Sequence, residues 1–284
     1  MKKKMIMIML SLWLTSSVFI WIYPKQENSN EERRKLSQFP KLTLTSLADG
    51  QFASQFESYA QDQFPYRFKV RQNKALFRYY GLGMFENNDY FIDEGKIIKI
   101  EYPVKESEII KAGVTFETIR NEYLIDSDVY VSIIPDKSYY TNNQTIPIMD
   151  YEAIESLILS HMKNVTYVDI KDLLNLDDYY NTDIHWKQEK IAKVSDEILT
   201  AMNKQYSSVT TVSQDVSFTG VYSGHSALIT KKDALEYVTN EAIESAEVTL
   251  LDGAKTSVYK KDALTARDQY DFFLHGPQAI VSID

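Results

Sequence analysis

The sequence contains no cysteine, and this absence excludes several kinds of chemistry. Without thiols the chain has no disulfide scaffold, no thiolate zinc site, no iron–sulfur cluster and no cysteine nucleophile. The glycine-rich loops that bind phosphates or dinucleotides are also absent, as is the His-Glu-x-x-His motif of zinc enzymes. We therefore expect no cofactor.

Positive charge and glycine are both scarce. Lysine and arginine number 31 against 40 aspartates and glutamates, a net charge of −9 over 284 residues. This balance argues against a nucleic-acid partner, because phosphate contacts need a basic surface. Twenty tyrosines stand against nine glycines. Tyrosine-rich surfaces suit sugars and peptides, although most tyrosines simply pack with the hydroxyl in water.

The N-terminal segment has the composition of a membrane helix. Three lysines at positions 2–4 precede residues 5–23, a run of 19 residues without a charge. A helix of that length reaches roughly 28 Å, about one hydrocarbon core. Trp21 and Tyr23 lie at its far end, where aromatic rings favour the interface, and the lysines predict a cytoplasmic N-terminus. Because no small-x-small cleavage site follows, residues 1–24 are predicted to be an uncleaved single-pass anchor of the cell membrane. Signal cleavage and secretion is the alternative.

Residues 25–83 are predicted to form a tether and a helical N-terminal region. Residues 25–38 are polar and charged, which is typical of a short solvated tether. From Gln51 the apolar positions follow helical spacing through two helices, interrupted at residues 62–67. Without residues 1–24 the chain has 260 residues and a charge of 28 − 40 = −12.

Residues 84–284 are predicted to form an α/β domain. Short β-branched runs alternate with helices, which indicates a parallel sheet covered on both faces. The segment 204–262 is less regular and is predicted to be a small β-rich insertion. The predicted elements are a hairpin over 90–100, helices over 105–124, 150–163, 170–176 and 187–203, a buried parallel strand over 129–134, and further strands over 165–168, 218–224 (with a turn) and 279–284.

His185 is the one of the four histidines that has suggestive neighbours. It lies two residues after Asp183 and just before a predicted helix. In such a turn the two side chains can face one cleft. The carboxylate then holds one imidazole nitrogen and leaves the other free as a general base. The alternative is structural: Asp183 or Thr182 caps the helix, and His185 lies on the surface.

The other sites that these residue types could form are a metal site and a serine nucleophile elbow. A metal site would add Asp177 or Asp178 to Asp183 and His185, but no recognised metal-binding motif is present. His225 follows a Ser-Gly pair, but the segment lacks the Gly-x-Ser-x-Gly frame of a nucleophile elbow. A β-turn is therefore predicted at His225.

The segment 182–186, Thr-Asp-Ile-His-Trp, resembles the signature of the DHHW family of bacterial exported proteins, as does the preceding pair Tyr179 and Tyr180. That family is similar to the SGNH-hydrolase-like domain of the alginate O-acetyltransferases. Position 184 is isoleucine where the family motif has histidine. Further segments that look like the family are 31–40, 47–52, 62–67, 133–137 with its Pro-x-Lys ending, and 268–276, which resembles Asp-x-Tyr-x-x-Phe-x-Gly.

The resemblance implies an SGNH-hydrolase-like three-layer α/β domain with a Ser-His-Asp site. Asp183 and His185 would be its catalytic aspartate and histidine. The serine would lie in an Asp-Ser turn after the next strand, and no such turn follows residues 279–284. The domain is therefore expected to be incomplete at its C-terminus, and this chain to be inactive or nearly so.

The resemblance also implies a function at the cell envelope. Such a protein is related to O-acetyltransferases and esterases that act on extracellular polysaccharide. Its implied partners are a cell-envelope polysaccharide, the membrane through the N-terminal helix, and a membrane acyl donor, with no nucleic acid. A non-catalytic surface protein that binds polysaccharide or scaffolds an envelope assembly is the alternative. A truncated reading frame without a stable product is the third hypothesis.

Overall fold

The computed structural model describes residues 2–266, 268–273, 275–276 and 278–284. The chain divides into two units. The first holds Met1–Met84 and Gly224–Ile229, and the second holds Phe85–Ser223 and Thr230–Asp284.

Helix α1 (Lys2–Ile22) is the helix predicted for the N-terminal segment. Within it, Lys3–Ile22 is long and apolar enough to cross a membrane, a property that signal sequences share. Large apolar side chains such as Met7 and Trp13 are exposed along it. The helix prediction is confirmed, and its length and composition fit either an anchor or a signal sequence.

The segment predicted as a solvated tether is folded instead. Strands β1 (Asn28–Ser29) and β2 (Arg34–Lys35) pair as an antiparallel hairpin. Between them Glu32 is only 5% exposed. The tether prediction is wrong because this carboxylate pairs with Arg67 and Arg71, which lie far along the chain.

The rest of the first unit is helical, as predicted. The helices are α2 (Leu44–Ala48), α3 (Gln51–Asp62) and α4 (Arg67–Leu76), which continues as a π-helical turn (Phe77–Gly81). Thr43 caps α2 through its side chain, which accepts from the Ser46 N–H.

The second unit begins with the predicted hairpin. Strands β3 (Tyr90–Asp93) and β4 (Lys96–Lys99) pair antiparallel around Glu94 and Gly95, both of which have a positive φ. Gly95 meets this left-handed requirement at no steric cost.

An α/β segment follows the hairpin. Helix α5 (Glu106–Tyr123) leads to β5 (Val129–Val131), and α6 (Tyr151–Leu159) leads to β6 (Val165–Tyr167). The strands β5 and β6 are parallel, with Val129 opposite Val165. The parallel strand is confirmed, although β5 is shorter than predicted and half-buried rather than buried. The helix predicted over 170–176 is replaced by two 3-10 turns, Lys171–Leu173 and Leu176–Asp178.

The predicted parallel sheet covered on both faces is much smaller in the structure. Within the described residues, β5 and β6 are the only parallel pair, and every sheet has two or three strands. Short connections such as Glu94–Gly95 pair neighbouring strands antiparallel, which leaves few strands for a parallel sheet. The fold is a mixed helix and strand structure, and the described part of the chain contains no three-layer SGNH-like sheet.

The segment 187–203 is helical, as predicted, and the segment 204–262, predicted to be a small β-rich insertion, contains strands and short helices. A 3-10 turn (Gln188–Lys190) precedes α7 (Ala192–Ala201). Strands β7 (Thr210–Phe218) and β8 (Asp233–Thr239) pair antiparallel. The elements that complete the region are α8 (Val221–Ser226), α9 (Glu241–Ser245), β9 (Glu247–Leu250), β10 (Lys255–Ser257) and β11 (Ile280–Ile283).

Two predictions in this region are wrong. The turn predicted after Phe218, including His225, is helix α8, because the N–H groups at its start find acceptors in residues 182 and 183. The last strand, β11, joins no parallel sheet: it runs antiparallel to β9 in the order β10-β9-β11.

Two apolar clusters hold the segment that carries the DHHW-like motif. Leu176 packs with Phe91, Ile98 and Ile146. Tyr180 packs with Phe218, Leu235, Tyr259, Ala263 and Phe272. Burying one such side chain contributes about 1.5–3 kcal/mol, so both ends of the 176–180 segment are fixed.

Candidate active site

The motif segment is anchored by its two tyrosines. Tyr179 and Tyr180 are buried, and the Tyr179 hydroxyl donates to the carbonyl oxygen of Pro135 at 2.5 Å. The Tyr180 N–H donates to the carbonyl oxygen of His185 at 3.2 Å, which closes the segment into a loop. We call residues 179–186 the motif loop. Its shape depends on tyrosines that the sequence pattern identified only by resemblance.

Asp233, at the start of β8, accepts hydrogen bonds from the motif loop. One carboxylate oxygen accepts from the Asn181 N–H at 2.6 Å. The other accepts from the Thr182 N–H at 2.8 Å and from the Thr182 hydroxyl at 2.6 Å. Asp233 is buried, and hydrogen bonds to a charged group contribute about 1.5–3 kcal/mol each. Sequence reasoning missed Asp233, since it lies about 50 residues from its partners.

Asp183 and His185 lie together, as the spacing predicted. The His185 Nδ1 is 2.6 Å from the Asp183 Oδ1. Asp183 is 0% exposed, whereas the His185 side chain is 42% exposed. The geometry assigns the Nδ1 proton to this hydrogen bond, so Nε2 carries the free lone pair of a general base.

Thr182 and Asp183 do not cap the helical segment that follows them, and they accept instead from N–H groups at the start of α8. The Gln188–Lys190 turn begins after Lys187, and neither Asp183 nor Thr182 caps it. The second oxygen of Asp183 instead accepts from the Val221 N–H at 3.1 Å. Gly220 allows this approach, because a Cβ there would lie 2.3 Å from the Cβ of Asp183.

Tyr270 supports the imidazole from a distant part of the chain. Its ring stacks on His185 with centroids 3.7 Å apart and planes 7° apart. Burial, with the neighbouring carboxylates of Asp183 and Asp268, raises the pKa of Tyr270 above its ordinary value, so the phenol is neutral. Tyr270 belongs to the 268–276 stretch, in which residue 274 lies outside the described residues.

Lys137 is a buried cation behind the motif loop. It is 1% exposed, and its Nζ donates to the carbonyl oxygens of Ile97 at 2.7 Å and Tyr180 at 2.8 Å. The amine also lies 4.9 Å from the centre of the Tyr222 ring. Burial lowers the pKa of Lys137 to about 7, although nearby Asp183 opposes this shift. The Pro-x-Lys resemblance marked this residue without a role, and the structure places it between β4 and the motif loop.

A cavity of about 400 Å³ lies beside His185. Pro135, Tyr151, Tyr179 and Trp186 line it together with His185. Concave, largely apolar sites with a few polar groups are where small ligands bind. The imidazole therefore borders a space of ligand size.

The residues weighed for a metal site lie elsewhere. Asp177 pairs with Lys96 at 2.7 Å, and this contact lowers the pKa of that carboxyl. Asp178 pairs with Lys193 at 3.0 Å. Over the described part of the chain, no group of three histidine, aspartate or glutamate side chains is arranged to hold a metal ion.

The nucleophile of a triad is not seen at His185. None of the residues that the structure describes forms a hydrogen bond with its Nε2. His225, which lies in the first unit, contacts the backbone oxygen of Glu32 through its own Nε2. Asp183 and His185 thus form a dyad with an open imidazole nitrogen.

Comparisons with known proteins find structural likeness only. No protein-family model matches the chain, and no curated protein sequence matches it. Bacillus cereus PatB1 has 14% identity, with 65% of this chain and 71% of that chain covered, at a TM-score of 0.47. A DHHW family protein from Eubacterium siraeum DSM 15702 has 16% identity, with 70% of this chain and 72% of that chain covered, at a TM-score of 0.54. At this identity the likeness to the DHHW family protein shows a shared fold.

Proposed function

We propose that this chain is a DHHW-type protein of the cell envelope, related to SGNH O-acetyltransferases and esterases, whose Asp183–His185 dyad is the general base of an acyl-transfer site. The substrate class is an acetylated extracellular polysaccharide. One observation carries the proposal: a fully buried carboxylate holds Nδ1 of an accessible imidazole at 2.6 Å.

The chemistry follows from the dyad. Nε2 of His185 takes the proton of a hydroxyl as that oxygen attacks the ester carbonyl, and later returns a proton to the leaving alcohol. Asp183 holds the ring orientation and stabilises the imidazolium that forms. The resemblance implies a serine as the hydroxyl nucleophile, and none of the described residues bonds to Nε2 in that role. The cavity beside His185 is the space for the acyl group or sugar.

The location is part of the same proposal. Helix α1 anchors the chain, with Lys2–Lys4 in the cytoplasm and residues 25–284 outside, where polysaccharide is available. A membrane acyl donor is the implied partner if the reaction is a transfer rather than a hydrolysis.

The test compares acetyl release by the complete gene product and by its His185→Ala and Asp183→Asn variants. Each variant is expected to lose about ten-thousandfold or more in rate, because triad members act as one unit. His161→Ala is the matched control, since among the described residues the His161 ring bonds only to the Ser160 hydroxyl and the Leu157 carbonyl oxygen at the end of α6. Equal rates in His185→Ala and the parent protein would remove the catalytic role.

A second function is favoured by the aromatic walls of the cavity. Trp186, Tyr151 and Tyr179 line the space beside His185, and aromatic faces suit sugar rings. On this alternative the chain binds polysaccharide without turnover. Carbohydrate-array binding that His185→Ala retains and Trp186→Ala loses would support it, and the absence of any bound glycan would contradict it.

A further inference from the structure

A second cavity lies within the first unit, beside the last turn of α1. Its volume is about 540 Å³. Ile20 of α1 forms one side, and the walls come from α3 and α4. We call it the helix-end groove.

Helical periodicity explains which residues of α4 line the groove. Arg67, Val70, Arg71 and Lys74 are spaced i, i+3, i+4 and i+7, so they share one face of the helix. Three of these four side chains are cations, and Val70 is apolar. The α3 wall adds the partly exposed ring of Phe64, which follows α3.

The charges around the groove leave a positive excess. Arg67 and Arg71 both donate to the buried Glu32. Arg34 also pairs with Glu32 and forms two hydrogen bonds to Asp62, at 2.9 and 2.6 Å. Three guanidinium groups therefore share two carboxylates.

Lys74 adds a further charge. Within the described residues its amine has no hydrogen bond or ion pair, and the side chain is exposed. Glu57 is the one carboxylate among the lining residues that the structure describes, and its Oε1 accepts from Gln61 at 3.2 Å. The groove and its supporting cluster thus carry one net positive charge.

With α1 as the proposed anchor, aromatic contacts near its end put the groove at the level of the membrane surface. Trp21 packs on Phe39 with centroids 5.8 Å apart, and Tyr23 packs on Tyr66 at 5.5 Å. Tryptophan and tyrosine at the end of a spanning helix mark the headgroup region. Ile20, one residue before Trp21, brings apolar surface of α1 into the groove wall.

We infer that the helix-end groove binds the phosphodiester of an anionic membrane phospholipid. Lys74 attracts the phosphate, and Ile20, Phe64 and Val70 contact the start of the acyl chains. The lipid site rests on the proposed anchoring by α1 but not on acyl transfer, so lipid binding is measured apart from acetyl release.

The test uses the full chain purified from membranes, with retained phosphatidylglycerol and phosphatidylcholine measured by native mass spectrometry. Lys74→Glu is expected to weaken phosphatidylglycerol binding about tenfold, since one attractive charge becomes repulsive. Lys69→Glu is the matched control: it makes the same charge change on α4 outside the groove, and it should change binding less than about twofold. Val70→Asp is a second variant that tests the apolar contact at an exposed position.

Three results would overturn the lipid site. They are equal losses in Lys74→Glu and Lys69→Glu, equal retention of phosphatidylcholine and phosphatidylglycerol, and displacement of the bound lipid by free glycerol phosphate at the same concentration. Recovery of the chain outside the membrane fraction would instead remove the anchoring itself.

Discussion

Lys137 shows how a single buried charge holds the candidate site together. Its amine joins the backbone of β4 to the motif loop through the Ile97 and Tyr180 carbonyl oxygens. Two carbonyl oxygens replace water for this cation, and burial still lowers its pKa to about 7. Lys137 therefore supports the segment that carries the dyad, and its amine also changes protonation near neutral pH.

The sign of the pH dependence follows from that shift. The ordinary pKa of 10.5 applies to the unfolded chain, and about 7 applies to the folded chain. Between these values the unfolded state binds the extra proton, so the free energy of unfolding rises with pH by up to about 1.4 kcal/mol per unit. Below pH 7 both states are protonated, and the burial penalty is constant.

Lys137→Met is expected to abolish this rise. The measurement is urea unfolding followed by Trp186 fluorescence, with Trp13 and Trp21 replaced by phenylalanine. Lys111→Met, at an exposed position of α5, is the control and should keep the slope of the parent chain. A Lys137→Met variant with an unchanged slope would show that the amine does not titrate in this range.

At the scale of elements, the β1–β2 hairpin is held by ion pairs rather than by apolar packing. Burial raises the pKa of Glu32, but hydrogen bonds from Arg67 and Arg34 outweigh it, so the pKa is lowered overall. A hydrogen bond from Arg34 holds the pKa of Asp62 well below its ordinary range. A carboxyl group whose pKa is lower in the folded chain than in the unfolded chain stabilises the fold at pH values above its unfolded pKa. This stabilisation is lost as the pH falls through the pKa of the folded chain.

The hairpin is therefore expected to open in acid. Amide hydrogen exchange of residues 28–36 should be slow at about pH 6 and lose protection at about pH 3 or below, beyond the intrinsic rate change. Glu32→Gln should lose protection at both pH values, because breaking a buried ion pair costs about 3 kcal/mol. Glu27→Gln, an exposed carboxyl on the same segment, is the comparison. Full protection of the hairpin in Glu32→Gln would contradict the ion-pair account.

At the scale of the whole molecule, the absence of cysteine makes topology directly measurable. Any introduced cysteine is unique in the chain. Ser127 is exposed in the second unit, and Lys3 lies at the other end of α1. The two positions should fall on opposite sides of the membrane if α1 is an anchor.

A membrane-impermeant maleimide is expected to label Ser127→Cys in intact cells and Lys3→Cys only after lysis. The mass of the labelled chain checks cleavage at the same time, because removal of residues 1–24 would shorten it and release it to the medium. Labelling of Lys3→Cys in intact cells would reverse the proposed orientation.

The residue pattern within single short stretches of sequence accounts for the predictions that were confirmed. The N-terminal helix, the β3–β4 hairpin, α5 and α6 each follow from periodicity or turn residues within one stretch of chain. The tether prediction failed because the partners of Glu32 are 35 and 39 residues away. The parallel sheet was overestimated for the same reason, since strand pairing such as β9 with β11 is not encoded in either strand alone.

The sequence by itself determined that Asp183 and His185 are two residues apart beside two tyrosines, and that residues 3–22 have the length and hydropathy of a membrane helix. Only the tertiary structure decided that Asp183 is buried against Gly220, that Asp233 and Lys137 hold the motif loop, and that Tyr270 stacks on the imidazole. Periodicity and spacing act over a few residues, whereas the burial that sets a carboxylate's partners and a lysine's pKa depends on segments that meet only when the chain folds.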